Sequence, residues 1–126
     1  MSDPYRILLV DDDKDTCEMM RFLLTLTNDN YEVVSANTAD AALLQMEIKP
    51  FDIYILDSLL PDMSGVELCA KIRRGDKQVP ILFYSGMLDS NCIRNSKAAG
   101  ANEYLVKPND LERFTEIVKK HLSKKA

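Results

Sequence analysis

Asp11–Asp13, Asp57 and Lys107 are the residues whose positions most suggest chemistry, because each directly follows a short apolar run. An apolar run that stops at a polar residue is typical of a buried strand in a parallel sheet. Ligands of such sheets bind beyond the carboxyl ends of the strands, so these side chains are expected at one edge. Carboxylates gathered there repel one another, and a divalent metal together with Lys107 would supply the counter-charge. The pattern predicts a site that handles a phosphoryl group.

Strand-like and helix-like segments alternate along the whole chain. The predicted strands cover residues 6–10, 31–36, 52–56, 81–84 and 103–106. The predicted helices cover about 14–27, 38–48, 65–74 and 89–99, and a last one runs from a cap at 109 or 110 to about 121. This alternation predicts an α/β fold, a flavodoxin-like doubly wound sheet of five parallel strands in the order 2-1-3-4-5 with five helices.

The predicted strand order decides which side chains meet. Strands 1 and 3 are neighbours at the switch point of the sheet, so Asp11, Asp12 and Asp57 are expected to share one crevice. Strands 4 and 5 bring Ser85 and Lys107 beside it. The sequence thus predicts three carboxylates, one hydroxyl and one ammonium group at a single site.

The composition is that of one globular domain over residues 1–126. Apolar residues make up 46%, and the net charge of −4 argues against generic nucleic-acid binding. Three widely spaced cysteines, an odd number, predict free thiols that are buried or half-buried. With no signal peptide and no apolar stretch long enough for a membrane span, the sequence predicts a cytoplasmic protein. His121 is predicted to be solvated on the polar flank of the last helix.

The chain resembles the receiver domains of two-component response regulators, such as the bacterial chemotaxis receiver. Four segments carry the resemblance in order along the chain: ILLVDDD, DIYILDSLLPDMSG, PILFYSG and GANEYLVKPND. No one segment is decisive, but an acidic pair, an acceptor aspartate, a hydroxyl and a Lys-Pro pair in this order are highly specific. The resemblance covers the whole chain and implies a phosphorylatable signalling domain.

The resemblance assigns roles around a magnesium ion. Asp57 matches the phosphoacceptor, Asp12 the direct metal ligand, and Asp11 the carboxylate that acts mainly through a bound water. The backbone carbonyl of Leu59 matches the third protein ligand. Lys107 matches the lysine that pairs with the phosphoryl charge. Oxygen ligands of this kind suit Mg²⁺, and phosphoryl transfer needs mostly positioning and charge neutralisation.

The resemblance also implies a conformational switch. Ser85 matches the hydroxyl that meets a phosphoryl oxygen, and Tyr104 matches the aromatic residue that turns inward in response. Lys107-Pro108 matches a peptide bond that is cis in the family. Leu59 and Met87 lie two residues beyond the acceptor and the switch hydroxyl, where the family places residues that flank the attacking water. Both are apolar here, which predicts slow loss of the phosphoryl group.

The implied function is that of a switch rather than an enzyme with its own substrate. A phosphohistidine on a sensor kinase or phosphotransfer protein would be the donor, and the chain would catalyse only its own phosphorylation and dephosphorylation. The face formed by the fourth helix, fifth strand and fifth helix would change, with the weakly apolar fourth helix as the moving element. The output partner is not predicted, direct nucleic-acid or membrane binding is not expected, and a phosphorylation-dependent dimer is left open.

Three alternatives are open at this stage. A haloacid-dehalogenase-type magnesium-dependent phosphatase also places aspartates after strand 1, but Asp15 stands where that motif has Thr or Val. A flavodoxin-like carrier needs a hydroxyl-rich phosphate loop where this chain has Asp11–Asp13. A degenerate receiver that only binds partners would not need Asp57, Ser85 and Lys107 together.

Overall fold

A central parallel sheet with helices on both faces forms the structure, a computed structural model that describes residues 3–124. The strands are β1 (Tyr5–Val10), β2 (Tyr31–Ala36), β3 (Ile53–Leu56), β4 (Ile81–Ser85) and β5 (Glu103–Val106). The helices are α1 (Lys14–Thr27), α2 (Ala39–Ile48), α3 (Gly65–Gly75), α4 (Ser90–Ala98) and α5 (Leu111–Ser123). The strand order is β2-β1-β3-β4-β5, and every pair is parallel. The predicted fold class and strand order are therefore confirmed.

Several element ends differ from the predicted ones by one or two residues. β4 extends through Ser85, which still pairs with β5. α4 begins later than predicted, because Asp89 is its N-cap and accepts a 2.9 Å hydrogen bond from the amide of Asn91. α5 continues past its predicted end because Leu122 remains buried against the sheet. Ser85 is thus the last residue of a central strand, so the sheet holds its backbone in place.

Two apolar layers sandwich the sheet. On one face α1 and α5 bury side chains such as Met20, Leu24 and Phe114 against the strands. On the other face α2 and α3 bury a second cluster that includes Leu68. α4 is held less firmly, since Ser96 is the only one of its nine residues that is buried. Sparse burial is typical of an element that shifts at low cost, and the movement of α4 stays a prediction.

His121 contradicts the prediction of a solvated side chain. Only 8% of the residue is exposed, and its Nε2 lies 2.9 Å from Oε2 of Glu103. The Nζ of Lys120 donates to the same oxygen at 2.8 Å. The prediction was wrong because the polar partner comes from β5, which the helical pattern of α5 does not reveal. The contact fixes the last turn of α5 to the start of β5.

Two further predictions, the free cysteine thiols and the cis Lys107–Pro108 bond, are confirmed. The three cysteines are free thiols, with Cys17 and Cys69 buried and Cys92 half-buried. Burial, with the nearby charge of Asp11, raises the pKa of Cys17 to about 11. The Lys107–Pro108 peptide bond is cis. No helix within the described residues has both the length and the apolar character that crossing a membrane requires.

Candidate functional site

Three carboxylates meet where β1 and β3 end. The register of these neighbouring strands pairs Val10 with Leu56, so the residues that follow lie side by side. The amide of Asp57 donates a 2.9 Å hydrogen bond to the carbonyl of Val10. One carboxylate oxygen from each of Asp11, Asp12 and Asp57 lies within 4.8 Å of the others. The predicted shared crevice is therefore present.

Lys107 reaches into this cluster from the end of β5. Its Nζ lies 2.6 Å from Oδ2 of Asp11 and 3.4 Å from Oδ2 of Asp57. Burial alone would lower the pKa of Lys107, but the hydrogen bond to Asp11 and the two aspartate charges outweigh burial and raise it. Lys107 therefore carries its positive charge between two of the three carboxylates.

Asp57 is the carboxylate whose ionisation the protein disfavours. Burial, reinforced by the charge of Asp11, raises the pKa of Asp57 above its ordinary value. Lys107 and the amide of Ser58 oppose this rise, and that amide donates to Oδ1 of Asp57 at 2.8 Å. One lysine does not fully compensate the cluster, so an additional cation bound here would favour the ionised, nucleophilic form.

The donor set fits a magnesium ion. Asp11 is 3% exposed and already accepts hydrogen bonds from the amide of Asp13 at 2.9 Å and from Lys107. The carboxylate of Asp12, by contrast, is exposed and has no hydrogen bond or ion pair with any residue in the range 3–124. Asp12 and Asp57 would then hold the ion directly. Mg²⁺ prefers such a small number of carboxylate oxygens, with water completing its octahedron.

Ser85 and Tyr104 both bind the backbone of Met87. Ser85 is 1% exposed, and its Oγ accepts a 3.1 Å hydrogen bond from the amide of Met87. The hydroxyl of Tyr104 donates to the carbonyl of Met87 at 2.8 Å, and its ring stacks on Phe83. Burial raises the pKa of Tyr104, while hydrogen bonds from Ser58 and Ser85 oppose the rise. Tyr104, on β5, is thus turned inward and held to the loop that follows Ser85.

Leu59 and Met87 lie close to the acceptor segment, and the role of their side chains stays a prediction. Leu59 is 62% exposed, and Met87 is half-buried. Both line an open cleft of about 490 Å³ between the segment after β3 and the start of α4.

Gly65 is a site residue whose role the sequence did not reveal. A Cβ at this position would lie 2.1 Å from the carbonyl oxygen of Asp57 and 2.9 Å from the ring of Phe83. The amide of Gly65 also donates to the carbonyl of Ser58 at 2.8 Å. The start of α3 therefore packs directly on the backbone of the acceptor segment. The Ser-Gly pair at a helix start was the available signal, but only the fold shows what the missing side chain makes room for.

Asp62 is a second residue whose role was missed. Its two carboxylate oxygens accept hydrogen bonds, each 2.9 Å long, from the amides of Ala39 and Asp40. These bonds hold the pKa of Asp62 below its ordinary value. The segment after β3 is thereby tied to the first turn of α2, where a negative charge is favourable. Thr38 is the N-cap of the same helix, and its side-chain oxygen accepts a hydrogen bond from the amide of Ala41.

Comparison with known sequences points to one family. The response regulator receiver domain family matches residues 7–119. The nisin biosynthesis regulatory protein NisR of Lactococcus lactis subsp. lactis is 30% identical over 120 residues, which cover 95% of this chain and 51% of NisR. Response regulator ArlR of Staphylococcus epidermidis is 36% identical over 109 residues, which cover 86% of this chain and 48% of ArlR. The chain thus spans about half the length of these curated relatives.

Solved structures agree with the sequence comparison. A CheY-like response regulator receiver domain protein from Methanospirillum hungatei has a TM-score of 0.88 and 30% identity, covering 96% of this chain and 95% of that one. The BeF3-activated DrrB receiver domain has a TM-score of 0.86 and 27% identity, covering 95% and 98%. These matches do not favour the phosphatase or the degenerate receiver. This chain belongs to the response regulator receiver family, whose domains act as phosphorylation-activated signalling switches.

Proposed function

We propose that Asp57 accepts a phosphoryl group, with Mg²⁺, from a phosphohistidine on a sensor kinase or histidine phosphotransfer protein. The observation that carries this proposal is the cluster of Asp11, Asp12 and Asp57 within 4.8 Å, with Lys107 bridging two of its members. Asp12, Asp57 and the backbone carbonyl of Leu59 would hold the ion, and Asp11 would act through a bound water. Bound Mg²⁺ would neutralise part of the negative charge on the phosphoryl oxygens.

The chain's own residues position the reaction. A carboxylate oxygen of Asp57 attacks phosphorus in line, the phosphorus–nitrogen bond to histidine breaks, and an acyl phosphate forms on Asp57. Lys107 lies 3.4 Å from that carboxylate and would pair with the transferred group. Ser85 ends the adjacent strand and would bring its hydroxyl to a phosphoryl oxygen. Receiver domains are generally not conventional enzymes, and this one would act only on its own acyl phosphate.

The new charge would reach the surface through the loop after β4. Ser85 holds the amide of Met87, and Tyr104 holds the carbonyl of the same residue. If Ser85 turns toward the phosphoryl group, the backbone of Met87 moves, and the side chain of Tyr104 that is bonded to it moves as well. Phosphorylation would then bias a two-state equilibrium of the face formed by α4, β5 and α5.

The acyl phosphate of this protein would be long-lived. The side chains of Leu59 and Met87 carry no group that orients water for in-line attack, and both line the cleft beside the acceptor segment. Since positioning is most of what phosphoryl transfer asks of a protein, removing a water-positioning group slows hydrolysis. A long lifetime suits transcription or phosphorelay better than a rapid motor response.

The partners beyond the phosphodonor class stay predictions. Several longer relatives are described as transcriptional regulatory proteins, including KdpE of Mycobacterium tuberculosis. An output of that kind, a phosphorylation-dependent dimer and a cytoplasmic location are consistent with the family match. That residues 1–126 form a single receiver domain is likewise a prediction.

Labelling with a small phosphodonor tests the proposal. Acetyl phosphate and Mg²⁺ should phosphorylate the wild type and leave Asp57→Asn unlabelled. The product on Asp57 of the wild type should be labile in base and stable in acid, as an acyl phosphate is. Asp12→Asn is the matched control, because it removes one carboxylate charge from the same cluster as Asp57→Asn does. It should weaken Mg²⁺ binding but leave the phosphate acceptor in place. Equal labelling of Asp57→Asn and the wild type, or hydroxylamine-stable phosphoserine at Ser58 or Ser85, would contradict the assignment.

A further inference from the structure

Ser58, the residue after the acceptor, belongs to a chain of hydrogen bonds that crosses the switch region. The thiol of Cys92 on α4 donates a hydrogen bond to Oγ of Ser58, with 3.6 Å between the sulfur and the oxygen. Oγ of Ser58 lies 3.3 Å from the hydroxyl of Tyr104, which in turn donates to the carbonyl of Met87 at 2.8 Å. Four segments therefore meet: α4, the acceptor segment, β5 and the loop after β4.

The direction of these bonds follows from the number of protons. Tyr104 has one hydroxyl proton, and it is directed at the carbonyl of Met87. Tyr104 must therefore accept from Ser58, whose own oxygen accepts from the thiol of Cys92. The thiol of Cys92 also lies 3.6 Å from the hydroxyl of Tyr104, which is therefore a second acceptor for the thiol proton. Hydrogen bonds joined in such a network polarise one another favourably.

Ser58 is placed to respond to Asp57. It is 4% exposed, and its amide already donates to Oδ1 of the acceptor at 2.8 Å. A phosphoryl group on Asp57 changes the charge and hydrogen bonding of that carboxyl, so the adjacent peptide must adjust. Through Oγ, the adjustment reaches Tyr104 and Cys92 directly, without passing through Ser85.

Ser58 would also become more important once Ser85 is engaged. In this structure the hydroxyl of Ser58 lies 3.3 Å from the phenol oxygen of Tyr104, whereas Ser85 is linked to Tyr104 through the backbone of Met87. When Ser85 turns to a phosphoryl oxygen, Ser58 is the hydroxyl that continues to hold Tyr104 inward. Ser96 is the only buried residue of α4, and Cys92 adds a side-chain link from this helix to the acceptor segment.

We propose that Ser58 is a positioning residue that couples the phosphorylation state of Asp57 to Tyr104 and to α4. The inference rests on the proposed function, since it needs Asp57 to be phosphorylated. It adds a second route to the one through Ser85, and the two routes converge on Met87. The residue acts through Tyr104 and does not touch the transferred group.

Ser58→Ala tests the coupling because it removes Oγ and keeps the amide that binds Asp57. Acetyl phosphate should label this variant at close to the wild-type rate. Loss of one neutral hydrogen bond changes the ratio of the two switch conformations by about two- to tenfold. On addition of beryllofluoride, the NMR chemical shifts of Tyr104 and residues 90–98 should therefore change less in Ser58→Ala than in the wild type. Alkylation of Cys92, whose thiol loses one of its two hydroxyl partners, should become faster, by at most a similar factor.

A matched pair of variants separates the hydroxyl from packing. Ser58→Thr and Ser58→Val have the same shape, but only the threonine retains the hydroxyl. The NMR response should be retained in Ser58→Thr and reduced in Ser58→Val, with both variants labelled normally and similarly stable. The same pair remains informative if Ser58→Ala fails to fold.

Labelling reports whether Asp57 is phosphorylated, and the NMR response reports whether Ser58 couples that phosphorylation to Tyr104 and α4. Normal labelling with an undiminished response at Tyr104 and α4 in Ser58→Ala and Ser58→Val would overturn the role of Ser58 while leaving the proposed function intact. Equal loss of response in Ser58→Thr and Ser58→Val would also overturn it, because packing alone would explain the result. If the wild type takes no label on Asp57, the proposed function fails and the inference fails with it.

Discussion

Gly65→Ala should damage the phosphorylation site through the backbone rather than through any reacting group. The added Cβ would lie 2.1 Å from the carbonyl oxygen of Asp57, where real contacts need more than 3.0 Å. Relief requires α3 and the acceptor segment to separate by about 1 Å, because backbone atoms cannot rotate out of the way as a flexible side chain can. That movement would also stretch the 2.8 Å bond from Gly65 to the carbonyl of Ser58.

The size of the effect follows from these contacts. Overpacking and one weakened hydrogen bond together cost about 2–4 kcal/mol of unfolding free energy. For a domain of this length that corresponds to a fall in Tm of roughly 8–15 °C. A displacement of about 1 Å at a reacting group lowers rates by about a hundredfold, so phosphorylation of Asp57 by acetyl phosphate should slow by that order.

The assay compares initial labelling rates and thermal unfolding of the wild type, Gly65→Ala and Gly75→Ala. Gly75 ends the same helix, and a Cβ there would meet nothing within 4 Å. Gly75→Ala should therefore keep the wild-type labelling rate and gain about 0.5–1 kcal/mol of stability. Rates are measured well below every Tm so that only folded protein reacts. A Gly65→Ala protein that is labelled within about threefold of the wild-type rate would refute the positional argument.

Three further predictions follow from other parts of the site. The double variant Leu59→Asn/Met87→Glu should lose its phosphoryl group faster than the wild type, and unchanged decay of the acyl phosphate would show that these side chains do not control water. The pKa of Asp62 is held below its ordinary 3.8, so its contribution to stability is present above that pH and is lost as the pH falls through the lowered value. The Tm difference between the wild type and Asp62→Asn should therefore shrink on acidification below about pH 4, and a pH-independent difference would disprove the capping role. The thiol of Cys17 is buried and has a pKa of about 11, so Cys17 should resist iodoacetamide at pH 8, whereas the half-buried Cys92 should react. Mass spectrometry of the alkylated peptides measures both, and faster alkylation of Cys17 than of Cys92 would contradict the prediction.

Much of the site could be predicted from sequence because a parallel sheet brings distant residues to one edge. Apolar runs that end at Asp11, Asp57 and Lys107 are local features, and the alternation of strands and helices leaves few topologies. The strand order then brings the acidic cluster together without any knowledge of side-chain packing. The resemblance to receivers supplied the individual roles, including those of Ser85 and Tyr104.

Tertiary structure decided what depends on contacts between segments that are remote in sequence. Gly65 must lack a side chain because α3 packs on the carbonyl of Asp57, and no local pattern records that distance. His121 is buried because β5 supplies Glu103, although the pattern of α5 alone places it toward solvent. The bond between Ser58 and Tyr104 likewise joins residues 46 positions apart. Periodicity reports which face of an element is apolar, whereas the partner of a buried polar group is set by the packing of other elements against it.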